Sequence, residues 1–209
     1  MASIGILGGS FDPVHRAHVQ VALIVLASLQ LDEVRLMPCQ QSPTRSAPQA
    51  SGEHRCAMLN LVTQDHHNLL VDDRELHRTA PSYSVDSLRE LRREYPNDGL
   101  FFIVGVDAFN GLLAWHQWKE IFELAHIVVV GRMGEKIKRD GELAEMLAER
   151  GREDKPSTLS GAIITGLNCN LPTSSTEVRE ALKTNISVNT LLEKPVIDYI
   201  QENRLYQCS

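Results

Sequence analysis

Short apolar runs recur along the chain: IGIL at 4–7, VRLM at 34–37, LLV at 69–71, LFFIV at 100–104, HIVVV at 126–130 and AIITG at 162–166. They are nearly continuous rather than alternating, so each predicts a strand covered on both faces. The stretches between them, 19–29, 54–63, 84–95 and 118–124, carry apolar residues at helical spacing. Strand alternating with helix predicts an α/β fold, a Rossmann-like doubly wound parallel sheet with helices on both faces. Ligands of such sheets bind beyond the carboxyl ends of the strands, with phosphate contacts supplied by the loop after the first strand.

Two stretches interrupt the rhythm. Residues 38–52, PCQQSPTRSAPQASG, hold three prolines and few apolar side chains, which predicts a long loop near the site. Residues 131–161 are highly charged and read as a surface insertion, with an amphipathic helix over 141–150. Near the other end, a helical segment is expected over 174–209. Pro195 suits the first turn of its last helix, which Val196, Tyr199 and Ile200 would dock on the core. No internal repeat is visible, and 209 residues with 43% hydrophobic content are enough for one core, so a single domain is expected.

Charge narrows the partners. A formal net charge of −6 argues against a broad basic face for nucleic acid or anionic lipid, so any anion must be held locally. Cys39, Cys56, Cys169 and Cys208 are widely spaced and form no CxxC pair, which argues against a zinc ribbon or a disulfide framework. The longest apolar stretch, 19–29, is too short to cross a bilayer, and a soluble, cytoplasmic protein is expected. A homo-oligomer is left open.

The chemistry concentrates in GILGGSFDPVHRAH, residues 5–18. Gly8 and Gly9 follow the first strand and allow a ligand to approach backbone N–H groups, for which phosphate is the natural partner. A double glycine alone is equally well explained as a turn. Asp12-Pro13 fits a tight bend, Asp12 bonding backbone N–H groups, and both are assigned to shape. His15 and His18 lie three positions apart at a helix start, on a face that also carries the positive end of its dipole. A metal pair or two surface histidines are the alternatives. Zinc would need further ligands, and neither HExxH spacing nor a cysteine partner is nearby.

A second constellation is LPTSSTEVREAL at 171–182. Ser174 and Glu177 have capping-box spacing, so a helix should begin at Ser174 and offer its N–H groups, the Ser175 and Thr176 hydroxyls, and Arg179 one turn further in. By itself this motif is better read as an ordinary capped helix with its arginine in solvent.

Together the two motifs, a glycine pair and HxxH after a strand and a late SSTxxR helix start, resemble the HxGH-type nucleotidyltransferase superfamily, in which they hold ATP phosphates. RTAPSYSVDSLRELR at 78–92, FIVGVDAFNGLLAWHQWKEI at 102–121 and PVIDYIQENRLY at 195–206 are similar to the bacterial nicotinate-nucleotide adenylyltransferases, over nearly the full length. The resemblance implies that ATP and nicotinate mononucleotide are joined to give deamido-NAD and pyrophosphate. Magnesium would accompany the ATP, with no tightly bound organic cofactor. It implies catalytic roles for His15, His18 and Arg179. ATP contacts would come from Gly8, Gly9, Ser10, Phe11, Arg45, Gly105, Asp107, Ser174, Ser175 and Thr176, with Gly105 and Asp107 near the adenosine ribose. Ser82, Tyr83, Ser84, Trp115 and His116 would surround the pyridine ring, which can stack on Trp115; Trp115 as a plain core residue is the alternative.

Three positions depart from the family pattern. Ser10 stands where threonine is usual and keeps the hydroxyl. Ala17 replaces the glycine of HxGH and would bring a methyl close to the phosphates. SPTR at 42–45 replaces a PPHK- or PPHR-like stretch, keeping a cation at Arg45 but no histidine. The competing readings are another member of the superfamily, acting on nicotinamide mononucleotide or phosphopantetheine, and a non-catalytic nucleotide-binding module. The PSYS and GVDAF elements argue against a phosphopantetheine enzyme, and the retained histidines and Arg179 against a module without activity.

Overall fold

The computed structural model describes residues 1–43, 46–79, 81–132, 134–171 and 173–207. Arg45 and Cys208 fall outside them. Seven strands form one sheet: β1 (Ser3–Gly9), β2 (Glu33–Pro38), β3 (Leu69–Val71), β4 (Gly99–Gly105), β5 (His126–Gly131), β6 (Gly151–Arg152) and β7 (Ile163–Asn168). Their order is β3-β2-β1-β4-β5-β7-β6, and every neighbouring pair is parallel. All six apolar runs lie on strands. The two-residue β6 is too short to show as a run, so the sequence gives no sign of it.

Buried side chains on successive strand positions point to opposite faces, as the pleat requires. Ile4, Ile6, Leu100, Phe102, Val104, Ile127 and Val129 pack on one face, while Leu7, Phe101, Ile103, Val128 and Val130 pack on the other. The second face is covered by α1 (Arg16–Ser28), α2 (Gly52–Thr63), α7 (Ser175–Lys183) and α8 (Lys194–Glu202). The first is covered by α3 (Ser84–Glu94), α4 (Val106–Asn110), α5 (Trp118–Leu124) and α6 (Gly141–Arg150). This is the doubly wound arrangement expected from the continuous runs.

The order in which strands are added reverses at β1, which pairs with β2 on one side and β4 on the other. The crevice beyond Gly9 and Gly105, the ends of β1 and β4, is therefore the topological switch point at which such sheets bind ligands. Elsewhere, polar groups brace the frame. His126 is fully buried, its Nε2 lies 2.9 Å from the Thr158 carbonyl, and its Nδ1 accepts the Ala162 N–H at 3.1 Å. That pairing fixes the tautomer with the proton on Nε2, and burial pushes its pKa down, so the ring stays neutral.

Helix α8 buries Val196 and Ile200 as expected and adds Ile197, while the Tyr199 hydroxyl meets His54 Nδ1 at 2.9 Å. Among the described residues, no helix is long and apolar enough to cross a membrane.

Candidate active site

The turn after β1 is built around Phe11. Its φ of 48° lies in the left-handed region, which bulky residues seldom occupy, and its ring is fully buried. A Cβ on Gly9 would sit 3.3 Å from that ring, a tight contact that the ring could accommodate only by giving a few tenths of an ångström. The resemblance implies an ATP contact for Phe11; in the structure the residue is fully buried and its ring belongs to the core. Gly8 is exposed and Ser10 half-buried beside it.

Arg55 secures this turn from below. Its side chain is 1% exposed, yet it donates to the carbonyls of Ser10 at 2.7 Å, Cys39 at 2.8 Å and Ala50 at 3.2 Å. One guanidinium thus joins the β1 turn to both ends of the long loop after β2.

His15 occupies the N-cap of α1 and His18 the third helical position. The two rings stack with centroids 3.7 Å apart and 22° between their planes, and Phe11 closes edge-on against His18 at 4.8 Å. His18 Nδ1 accepts the His15 backbone N–H at 3.3 Å. The proton of a neutral His18 ring is therefore on Nε2, which leaves an N–H donor on the ring's other edge. His15 is 3% exposed, and its Nδ1 has no hydrogen-bond partner among the described residues. Burial, together with the nearby Arg132 charge, lowers its pKa from 6.5 to about 4, with Glu177 pulling the other way.

This shift carries a prediction about stability. The folded state binds fewer protons at His15 than the unfolded state does between pH 6.5 and about 4. The associated stability is therefore fully present above pH 6.5 and is lost as pH falls through that window. In His15→Asn, the loss of unfolding free energy between pH 7 and pH 4.5 should be smaller than in the wild type by roughly 2 to 3 kcal/mol. Urea unfolding at the two pH values measures it, and an unchanged difference contradicts the assignment.

Ala17 is 2% exposed and lies in the buried face of α1 with Val19, Ala22 and Val25. Its methyl packs in the same core cluster as Phe11 and Val14 of the turn after β1.

Helix α7 brings the second motif to the first. Ser174 caps the helix by accepting the Glu177 N–H at 3.2 Å, while Glu177 accepts the Ser174 N–H at 2.8 Å, the capping box read from the sequence. Ser175 Oγ donates to the Pro13 carbonyl at 3.0 Å, and Arg179 Nη1 donates to the Asp12 carbonyl at 2.7 Å. Thr176 is exposed, and its hydroxyl accepts from Arg179 Nη2 at 3.3 Å. Arg179 is therefore docked on the β1 turn rather than directed into solvent. The Asp12 carboxylate accepts the Gln49 and Ala50 N–H groups at 2.8 and 3.0 Å and the Tyr206 hydroxyl at 2.8 Å.

Across the switch point, Gly105 ends β4 and Asp107 lies in the first turn of α4, both exposed. Beyond the ends of β4, β5 and β7 lies a cavity of about 390 Å³, lined by Val106, Gly131, Ile137, Gly166 and Asn168 among others. The residues assigned to the pyridine ring also meet: the Tyr83 and His116 rings are 4.5 Å apart, and half-buried Trp115 packs edge-on against Phe102 at 6.1 Å. Ser82 binds the loop after β2 twice, accepting the Gln40 N–H at 3.2 Å and donating its own N–H to the Gln41 carbonyl at 2.9 Å. Ser84 opens α3, whose N-cap, Tyr83, makes no side-chain cap hydrogen bond. Among the described residues, no group of three or more His, Cys, Asp and Glu side chains is placed to hold a metal ion.

Sequence reasoning missed Arg55, Arg132 and Tyr206. Arg55 had a signal: it shares the buried stripe of α2 with Met58, Leu59 and Val62, where a charged residue must be paired. Arg132, exposed just past the end of β5, had none.

Residues 6–181 match the cytidylyltransferase-like family. A probable nicotinate-nucleotide adenylyltransferase of Pseudomonas putida (strain GB-1) is 41% identical over 208 residues, covering 98% of this chain and 94% of that one. A second, of Shewanella frigidimarina (strain NCIMB 400), is 38% identical over 209 residues, covering 98% and 99%. The solved Plasmodium falciparum nicotinic acid mononucleotide adenylyltransferase complexed with NaAD superposes with a TM-score of 0.74 at 21% identity, covering 99% of this chain and 98% of that one, a likeness of fold.

Proposed function

Because this chain belongs to the nicotinate-nucleotide adenylyltransferase family, we propose that it transfers the adenylyl group of ATP to nicotinate mononucleotide. The observation that carries the reading is the docking of Arg179 and Ser175 on the Asp12-Pro13 turn, which joins two anion-binding motifs more than 160 residues apart beside the histidine pair.

A 5′-phosphate oxygen of the mononucleotide attacks the α-phosphorus of ATP, the bond from that phosphorus to the bridging oxygen breaks, and pyrophosphate departs. The attacking group is already an anion, so the protein contributes alignment and charge stabilisation and forms no covalent intermediate. The His18 Nε2–H, the Arg179 guanidinium and the N–H groups after β1 meet the charge that gathers on the α- and β-phosphates. His15, held neutral by burial, supports the His18 ring by stacking and fixes its tautomer through its backbone N–H. Magnesium enters as part of the Mg–ATP substrate. We assign adenine to the cavity lined by Val106 and Gly131, and the ribose to Gly105 and Asp107 at the adjoining end of β4.

The pyridine ring lies between Trp115 and the Ser82, Tyr83 and Ser84 segment, with His116 beside Tyr83. The uncapped start of α3 offers N–H groups and the positive end of its dipole to the pyridine carboxylate. An amide in its place turns an NH₂ toward donors, and one unpaired buried polar group costs about 1 to 3 kcal/mol. Nicotinate mononucleotide should therefore be preferred over nicotinamide mononucleotide by a factor of roughly 5 to 150 in specificity constant. ATP labelled at its α-phosphate tests the reaction itself: the label should appear in a dinucleotide and unlabelled pyrophosphate should be released in equal amount. Label retained in ATP would reject catalysis and leave a nucleotide-binding module.

A further inference from the structure

Tyr206 lies past α8 and is drawn inward. It is 7% exposed, its φ is 60°, and Arg204 two residues earlier has a φ of 51°. Two non-glycine residues in the left-handed region are costly unless surrounding contacts hold them. The contact held here is the hydroxyl of Tyr206 on Asp12 Oδ1 at 2.8 Å, across 194 residues of chain. Burial and the adjacent carboxylate push the phenol pKa far up, so the hydroxyl stays protonated and donates.

Asp12 is 3% exposed, and its carboxylate is met by three donors: the Gln49 N–H, the Ala50 N–H and the Tyr206 hydroxyl. The Arg179 Nη1 lies 3.8 Å from Oδ2, beyond hydrogen-bond reach, and instead donates to the Asp12 carbonyl at 2.7 Å. The carboxylate and the guanidinium are thus neighbours that do not close into a direct hydrogen-bonded pair. A buried carboxylate deprived of one donor turns to another close at hand, and the Arg179 guanidinium, 3.8 Å from Oδ2 and bonded only to the Asp12 carbonyl and the Thr176 hydroxyl, is a cation beside it.

From this geometry we infer that Tyr206 is a positioning residue for Arg179: its hydroxyl retains the Asp12 carboxylate, so the guanidinium charge stays available to the nucleotide triphosphate. The C-terminal tail thereby completes a site otherwise built from the β1 turn and the start of α7. The inference rests on the reading of Arg179 as a phosphate-holding residue.

A double-mutant cycle separates this from a role in folding alone. Tyr206→Phe, Arg179→Ala and the double variant are compared with the full-length wild type, reading ATP affinity by calorimetry, turnover, and thermal unfolding. Tyr206→Phe in the wild-type background should weaken ATP binding and lower turnover by roughly 10-fold, because a hydrogen bond to a charged group is lost. In the Arg179→Ala background the same change should alter either quantity by less than about 2-fold, since the group through which Tyr206 acts is gone. Equal fold losses in both backgrounds, or no loss in either, overturn the proposal, whatever the shift in thermal midpoint. Should Tyr206→Phe not fold, Tyr206→Leu run through the same cycle faces the same criteria. ATP affinity needs no second substrate, so the cycle remains decisive even if nicotinate mononucleotide fails to react.

Discussion

His18→Ala is expected to lower the turnover number by roughly 100-fold or more while the protein remains folded. The His18 ring is held from three sides: stacked on His15 at 3.7 Å, closed edge-on by Phe11 at 4.8 Å, and bonded through Nδ1 to the His15 N–H. A side chain so constrained has little freedom left to lose on binding phosphate, and its Nε2–H is already directed by the bond at Nδ1. Preorganised donors of this kind have their largest effect in the transition state rather than in substrate binding. The Michaelis constant for ATP should therefore change much less than the turnover number. Stability should fall by about 1 kcal/mol, from loss of the bond that satisfies the His15 N–H. Near-normal turnover in a folded His18→Ala protein would remove the residue from the mechanism.

Arg55→Met should have the largest effect on stability. Methionine keeps much of the volume and the apolar stem but removes every donor, leaving the carbonyls of Ser10, Cys39 and Ala50 without the partner they share. Each orphaned buried acceptor costs about 1 to 3 kcal/mol, and partial relaxation toward water recovers some of that, so a net loss of at least about 3 kcal/mol is expected. Turnover should fall as well, since the Ser10 carbonyl belongs to the turn proposed to hold the ATP phosphates. Urea unfolding measures the first effect, and a loss below about 1 kcal/mol would contradict the role given to Arg55.

The centre of the sheet was legible because β4 and β5 are buried on both faces and so appear as unbroken apolar runs; β3 is visible as LLV although Leu70 is exposed, and the two-residue β6 left no run to see. The capping box at Ser174 and Glu177 was legible for a local reason: both partners lie within one helical turn. Nothing local marks the Asp12 node. Its donors come from positions 49, 50 and 206, and the sequence reading of Asp12 as a shaping residue that binds backbone N–H groups identified the chemistry without the partners. Trp115 shows an intermediate case: it is packed on Phe102 by one edge, so it draws on the core for rigidity while remaining half-exposed beside the Tyr83 and His116 rings.

Adenylyl transfer to an acidic pyridine nucleotide is tested most directly by a competition. Nicotinate and nicotinamide mononucleotides are supplied together with Mg–ATP, and the two dinucleotide products and pyrophosphate are quantified over the same interval. Deamido-NAD should be the dominant product, in excess over NAD by a factor of roughly 5 to 150 at equal substrate concentrations, with pyrophosphate equal to the sum of the two. Equal yields of the two dinucleotides, or no pyrophosphate with either, would contradict it.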